Sequence, residues 1–318
     1  MKRLLVLLMT LLLLAGCSMV KQESEPVTVD SLTIVTPKGA PVLAFYDQIA
    51  NENYTRVAAD AINALWSGDS SPDIMVVDLT SGINAIKNGA EYRLAAILTF
   101  GNLYVASTGN DYNQSLDPGD RLVLFGNENM LPSKVWHYLY GEEYDENIFY
   151  EADAQTAAAA LASGKCSDGS DADYVLLAQP AMFAALKNNE NAELYFDIQG
   201  EYKRRTNQDM IQAALFIKNT VSDTLADEFL LSREQAINEA LNNPELMEKG
   251  LAVYSGDEAN AQYGFNPSVV LNVFKQKNAL GMNSMGLGFK RAIDIKDDID
   301  TFLGLFNIEK TSEEIYFK

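Results

Sequence analysis

From Leu32 onward, short apolar runs alternate with amphipathic stretches, and this rhythm restricts the chain to an architecture of strands joined by helices. Leu32-Thr33-Ile34-Val35-Thr36 reads as a buried strand. Pro37-Lys38-Gly39-Ala40-Pro41 reads as a turn opening a helix over 42–50, with Pro41 in the first helical turn, where its missing N–H costs nothing. A strand over 55–58 and a helix through Ile62, Leu65 and Trp66 follow. Asp73-Ile74-Met75-Val76-Val77 is a clear buried strand, Thr80 or Ser81 caps a helix reaching Lys87, Asn88-Gly89 ends it, and 92–98 is strand again. Strands alternating with helices predict a parallel sheet with right-handed crossovers.

A second set repeats the rhythm: strands over 121–125, 148–150, 174–177 and 193–198, with helices over 130–140, 154–163 and 180–187 between them. Ala213-Ala214-Leu215-Phe216-Ile217 is one further strand, and everything beyond it (224–241, 244–254, 267–276, 294–306) is helical in pattern.

The first residues decide the compartment. Lys2 and Arg3 precede an apolar run, 4–14, broken only by Thr10, and Ala15-Gly16 lead to Cys17. This is a secretory signal, too short to span a bilayer permanently. Leu14-Ala15-Gly16-Cys17 resembles the bacterial lipobox, which implies cleavage after residue 16 and diacylation of Cys17; each buried acyl CH₂ contributes roughly 0.8 kcal/mol to anchoring. Polar residues 17–26 read as a lipidated flexible stalk.

Loss of sixteen residues from 318 leaves 302, a length suited to two medium domains. Formal charge falls from −20 to −22 with Lys2 and Arg3 gone, which argues against nucleic acid and anionic lipid as partners. Only Cys166 remains beside the lipidated residue, so packing, not an intramolecular disulfide, must hold the fold.

Two sets of strands and a C-terminal helical region predict an α/β fold of two lobes with two hinge crossings. Lobe I would comprise 27–103 plus 213–318 and lobe II 109–207, with hinges at 104–108 and 208–212. Ile34 through Pro41, Pro72-Asp73-Ile74-Met75-Val76 and Leu98-Thr99-Phe100-Gly101-Asn102-Leu103-Tyr104 resemble type II periplasmic binding proteins, in the branch of nitrate, sulfonate and thiamine-precursor binders. The resemblance spans essentially the whole mature chain. It implies an extracytoplasmic lipoprotein that captures a small solute by cleft closure and hands it to an ABC-type permease. A monomer with no cofactor and no metal is expected. A sensing lipoprotein that docks on a membrane receptor is the alternative, and a pyrimidine-synthase-like enzyme a second.

Ligands of open α/β sheets sit beyond the carboxyl ends of the strands, against helix N-termini. Four loops qualify. Lys38, Gly39 and Ala40, with Thr80, Ser81 and Gly82, would face the cleft from lobe I; Gly126, Asn127 and Asn129, with Gln179, from lobe II; Asn102 and Tyr104 would reach it from the hinge. Lys38 is the one cation and no arginine falls in these loops, which favours a neutral or cationic organic ligand over a sulfonate. Trp66, Tyr46 and Phe100 are candidates for stacking on a heteroaromatic ring.

Other motifs fail on spacing. Asp168-Gly169-Ser170-Asp171-Ala172-Asp173 carries Asp173 and Gln179 where a calcium loop needs glycine and glutamate. Met282-Asn283-Ser284-Met285-Gly286 lacks the first glycine of a nucleophile elbow. His137 is the single histidine, so triads and multi-histidine metal sites have no second member. The cysteine-rich motif and sacrificial histidine of the pyrimidine synthases do not occur.

Overall fold

The computed structural model describes residues 28–58, 61–68, 70–110, 116–276 and 285–318. The expected signal (1–16), Cys17, the stalk (17–26) and Met282-Asn283-Ser284 lie outside the described residues. Eleven strands are described: β1 (Ile34–Pro37), β2 (Tyr54–Val57), β3 (Ile74–Asp78), β4 (Tyr92–Phe100), β5 (Leu103–Ser107), β6 (Leu122–Phe125), β7 (Ile148–Glu151), β8 (Tyr174–Ala178), β9 (Glu193–Asp197), β10 (Ile211–Lys218) and β11 (Leu287–Arg291). They form two sheets, ordered β11-β4-β10-β3-β1-β2 and β7-β6-β8-β5-β9.

The all-parallel expectation is corrected. In the first sheet β2, β1 and β3 are parallel, but β10 lies antiparallel between β3 and β4, and β11 is antiparallel on β4. In the second, β7, β6 and β8 are parallel and β5 lies antiparallel between β8 and β9. Leaving β11 aside, both sheets have one strand order, and the reversed strand is in each case the first after a crossing. The cause is geometric: the parallel strands end facing the other lobe, so a chain arriving from that lobe enters at their carboxyl ends and must run backwards.

Burial explains why the central strands read so clearly. Ile74, Met75, Val76 and Val77 are fully covered, as a strand with both faces packed requires. Helix α1 (Leu79–Lys87) starts where Asp78 Oδ1 accepts the Ser81 N–H at 2.9 Å, so the cap is Asp78 and not Thr80 or Ser81. In the second lobe α2 spans Leu131–Tyr140 and α3 Ala154–Ser163, the latter capped by Asp153 and closed by Gly164 at φ 69°. Helices α4 (Ala181–Leu186) and α5 (Ile198–Thr206) complete this lobe.

The helical reading beyond residue 217 needs one correction. Helices α6 (Asp223–Asn242), α7 (Pro244–Leu251), α8 (Gly256–Tyr263), α9 (Pro267–Gln276) and α10 (Lys296–Gly304) are interrupted by β11. Its sequence, Leu-Gly-Phe-Lys-Arg, has too little apolar content to announce a strand; the open edge of β4 imposes one. The helix expected over 42–50 is a 3-10 helix, Ala40–Gln48, kinked at Phe45. It is tied to α6 by Arg233, whose guanidinium grips Asp47 with both nitrogens (2.6 and 2.5 Å) and also donates to the Ala44 carbonyl.

The chain passes between sheets through Gly101–Asn102 and returns through 207–210, so residues 104–107 belong to β5 in the second sheet. The two passages touch. Gly101 N–H donates to the Met210 carbonyl at 2.9 Å, and a Cβ on Gly101 would lie 2.4 Å from Gln199 Cβ and 2.9 Å from the Met210 methyl. Only glycine permits that approach.

Candidate binding cleft between the lobes

The carboxyl ends of the strands in both sheets face a cleft of about 900 Å³, floored by Asn102 of the first crossing and by the start of β10 just after the second. From the first lobe it is lined by the loop 37–41, the start of α1 at Asp78–Ser81, and Phe265, Asn266 and Val269 at the start of α9. The second lobe contributes Phe125, Asn129 to Pro132, Ala154, Ala178 to Ala181 and Ala184. Asn102, Leu103, Ile211 and Gln212 form the floor, beside Thr99 and Ala213. Most of the wall is apolar, with a few polar groups between, the usual composition of a small-molecule site.

Of the residues singled out in the sequence, Lys38, Gly39, Ala40, Thr80, Ser81, Asn102, Asn129 and Gln179 line this cleft. Four do not. Gly82 is buried under the sheet, where an added Cβ would overlap the Phe216 ring at 2.0 Å. Tyr104 is fully buried, because alternation along β5 turns it into the core. Gly126 donates its N–H to the Glu151 carbonyl of β7, extending the strand pairing, and Asn127 spends its Oδ1 on the Asn129 N–H in the turn before α2.

The expected aromatic stackers are also elsewhere. Trp66 meets Tyr92 and Phe216 edge-on, Tyr46 is core, and Phe100 carries Lys290 Nζ 5.3 Å above its ring. The aromatic residues of the cleft lining are instead Phe125, Phe265, Phe302 and Phe306. Asn266-Pro267 marked this helix start in the sequence: Asn266 Oδ1 accepts the Ser268 N–H at 3.0 Å ahead of a proline at the first helical position.

Charge in the cleft is balanced. Lys38 is the cation and Asp78 the anion of the lining, both exposed; Asp78 Oδ1 takes the Ser81 N–H and the Thr80 hydroxyl at 2.6 Å. Beside the second crossing, Asp209 receives Lys203 of α5 (2.7 Å) and Lys290 of β11 (2.8 Å), so one carboxylate joins the two lobes. Burial alone would raise the Asp209 pKa, but the two ammonium groups outweigh it and hold the carboxyl below the ordinary range.

The groups with reactive chemistry sit away from the cleft. His137 lies between the Ser133 carbonyl and Asp145, each at 2.7 Å, and burial pushes the Cys166 thiol up, toward its unreactive form. In the acidic loop Asp168 accepts the Ser170 N–H and hydroxyl, and Arg121 donates to the same hydroxyl, so the loop is closed by its own hydrogen bonds.

No protein-family model and no curated protein matches this sequence. Solved structures do. The chain is similar to an ABC transporter protein from Parabacteroides distasonis at 19% identity and a TM-score of 0.68, covering 87% of this chain and 91% of that one. It is similar to the periplasmic aliphatic sulphonate binding protein SsuA from Escherichia coli (14%, TM-score 0.59, 88% and 89% covered). It is also similar to a ligand-binding component of an ABC-type import system from Staphylococcus aureus, solved with zinc (10%, 0.59, 90% and 96%). At these identities the likeness shows the fold, which is that of the two-lobed periplasmic binding proteins.

Proposed function

We propose that this chain is an extracytoplasmic solute-binding lipoprotein that takes up a small organic solute between its lobes and presents it to an ABC-type importer. The observation that carries the reading is the 900 Å³ cleft itself, set between two sheets of matching strand order and floored by Asn102 and the start of β10. That size suits a metabolite-sized guest. Solute docks on one lobe, and the other closes about Gly101–Asn102 and 207–210; the closed form is favoured because only it completes both sets of contacts. Two adjacent passages allow bending and resist twisting.

Proximity to the membrane would come from Cys17, through lipidation at the lipobox-like Leu14-Ala15-Gly16-Cys17. A balanced lining without arginine fits a neutral or cationic organic solute better than an oxyanion. Binding rather than catalysis is assigned, since the lone histidine and Cys166 are both engaged with partners outside the cleft lining.

Native mass spectrometry of the full chain purified without refolding should find a retained solute. Scattering should then show compaction when that solute is returned to emptied protein. An unchanged radius at saturation, or undiminished binding after the cleft is plugged by Ala184→Trp, overturns the proposal.

A further inference from the structure

The floor of the cleft is a chain of three amides whose orientations determine one another. Gln212 is the extra residue of a β-bulge: Ile211 pairs with Phe100 and Ala213 with Thr99, leaving Gln212 without a partner on β4. The Thr99 hydroxyl accepts the Ala213 N–H at 2.9 Å, which satisfies the donor the bulge releases. Bulges of this kind re-aim a side chain, and here Gln212 lines the cleft.

Its amide is fixed from the opposite lobe. The Gln179 backbone carbonyl can only accept, so the Asn102 group facing it at 3.2 Å is Nδ2. The Gln179 N–H donates to the Asn102 carbonyl at 2.9 Å and locks the pair together. Asn102 Oδ1 therefore faces Gln212 and must accept, so Gln212 spends Nε2 on it at 2.8 Å. What remains on Gln212 is Oε1, to which no described residue donates, and the second N–H of Nε2, since only one of its two donors is spent on Asn102.

We propose that Gln212 recognises the solute, and that the solute presents an N–H donor to it: an amine, amide or ring N–H rather than a sulfonate, phosphonate or carboxylate. The inference rests on the cleft being the solute site. An oxyanion placed here would oppose lone pair to lone pair at Oε1 and be held by the one remaining N–H of Nε2 alone, whereas an N–H donor satisfies Oε1. Turning the amide does not help, because it would set Gln212 Oε1 against Asn102 Oδ1. Asp78 adds a second acceptor to the same lining.

Four probes with one ring and different heads test this on the full chain in detergent: benzylamine, benzamide, benzenesulfonate and benzoate, read by thermal shift and calorimetry. Benzylamine and benzamide should bind, and the two oxyanions should not. Gln212→Met, which keeps the shape and removes the acceptor, should weaken benzamide about tenfold, the size of one lost hydrogen bond. The comparison among probes on the unaltered chain needs no variant to fold. Benzenesulfonate binding as tightly as benzylamine, indifference of benzamide to Gln212→Met, or no binding by any probe at millimolar concentration overturns the donor preference. Should Ala184→Trp abolish the sulfonate binding, the cleft remains the site and only the preference falls. Should Ala184→Trp leave all binding intact, the cleft itself is the wrong site.

Discussion

Arg233 offers the sharpest test of how the cleft loop is held. Its side chain is 3% exposed and grips Asp47, 32% exposed, through both guanidinium nitrogens, while Phe45 and Phe229 lie 5.4 and 6.0 Å from its centre. The 3-10 helix it clamps begins at Ala40, in the wall of the cleft. Arg233→Met preserves the apolar stem and removes the fork. Orphaning a wholly buried charge costs about 3–5 kcal/mol, but water can reach a third of Asp47, so about 2–3 kcal/mol is expected. At about 2–4 °C per kcal/mol, the melting temperature should fall by about 5–10 °C. Acid adds a signature. Burial would raise the Asp47 pKa, yet hydrogen bonds and charge from Arg233 prevail and hold it below the usual value. A depressed carboxylate contributes fully above its unfolded pKa of about 3.9 and loses that contribution as pH falls through its folded value. Urea melts of the parent, Arg233→Met, Asp47→Ala and the double variant give the coupling directly. It should be about 2 kcal/mol at neutral pH and vanish in strong acid. A loss below about 0.5 kcal/mol for Arg233→Met, or coupling that survives protonation of Asp47, would refute the reasoning.

Two further outcomes are expected. Gly82→Ala should destabilise by about 1–3 kcal/mol in urea melts, since its Cβ must displace the Phe216 ring in a packed core; a neutral result would mean that α1 moves away from the sheet at no cost. Cys17→Ser should move the protein from the membrane fraction to the soluble one while leaving the ligand-binding isotherm unchanged; retention in the membrane would rule out the lipid anchor.

What the sequence disclosed follows the range of the physics involved. β3 was legible because Ile74 to Val77 are apolar on both faces, and α1 because its start, its stripe and its Asn88-Gly89 end are all local. The direction of β10 was not, since nothing in Ala213 to Ile217 states from which lobe the chain arrives. β11 exists only against the edge of β4. Within the cleft, loop position identified seven lining residues and the hinge Asn102, but not which way β5 turned Tyr104 or that Gly126 was bonded to β7 and Asn127 to its own turn. Gln212 was not legible because its bulge exists only in the pairing with β4, where Thr99, more than a hundred residues away, takes the Ala213 N–H.

The reversed strands have a consequence for biogenesis. β3 and β4 are not paired with each other; β10, made after the whole second lobe, fills the slot between them. A growing polypeptide that has reached residue 210 thus owns both banks of its first sheet and lacks the plank that joins them. Closing so distant a pairing is slow. If the chain leaves the cell interior unfolded, as the proposed signal implies, such a delay would leave the first sheet open until residue 218 has been made.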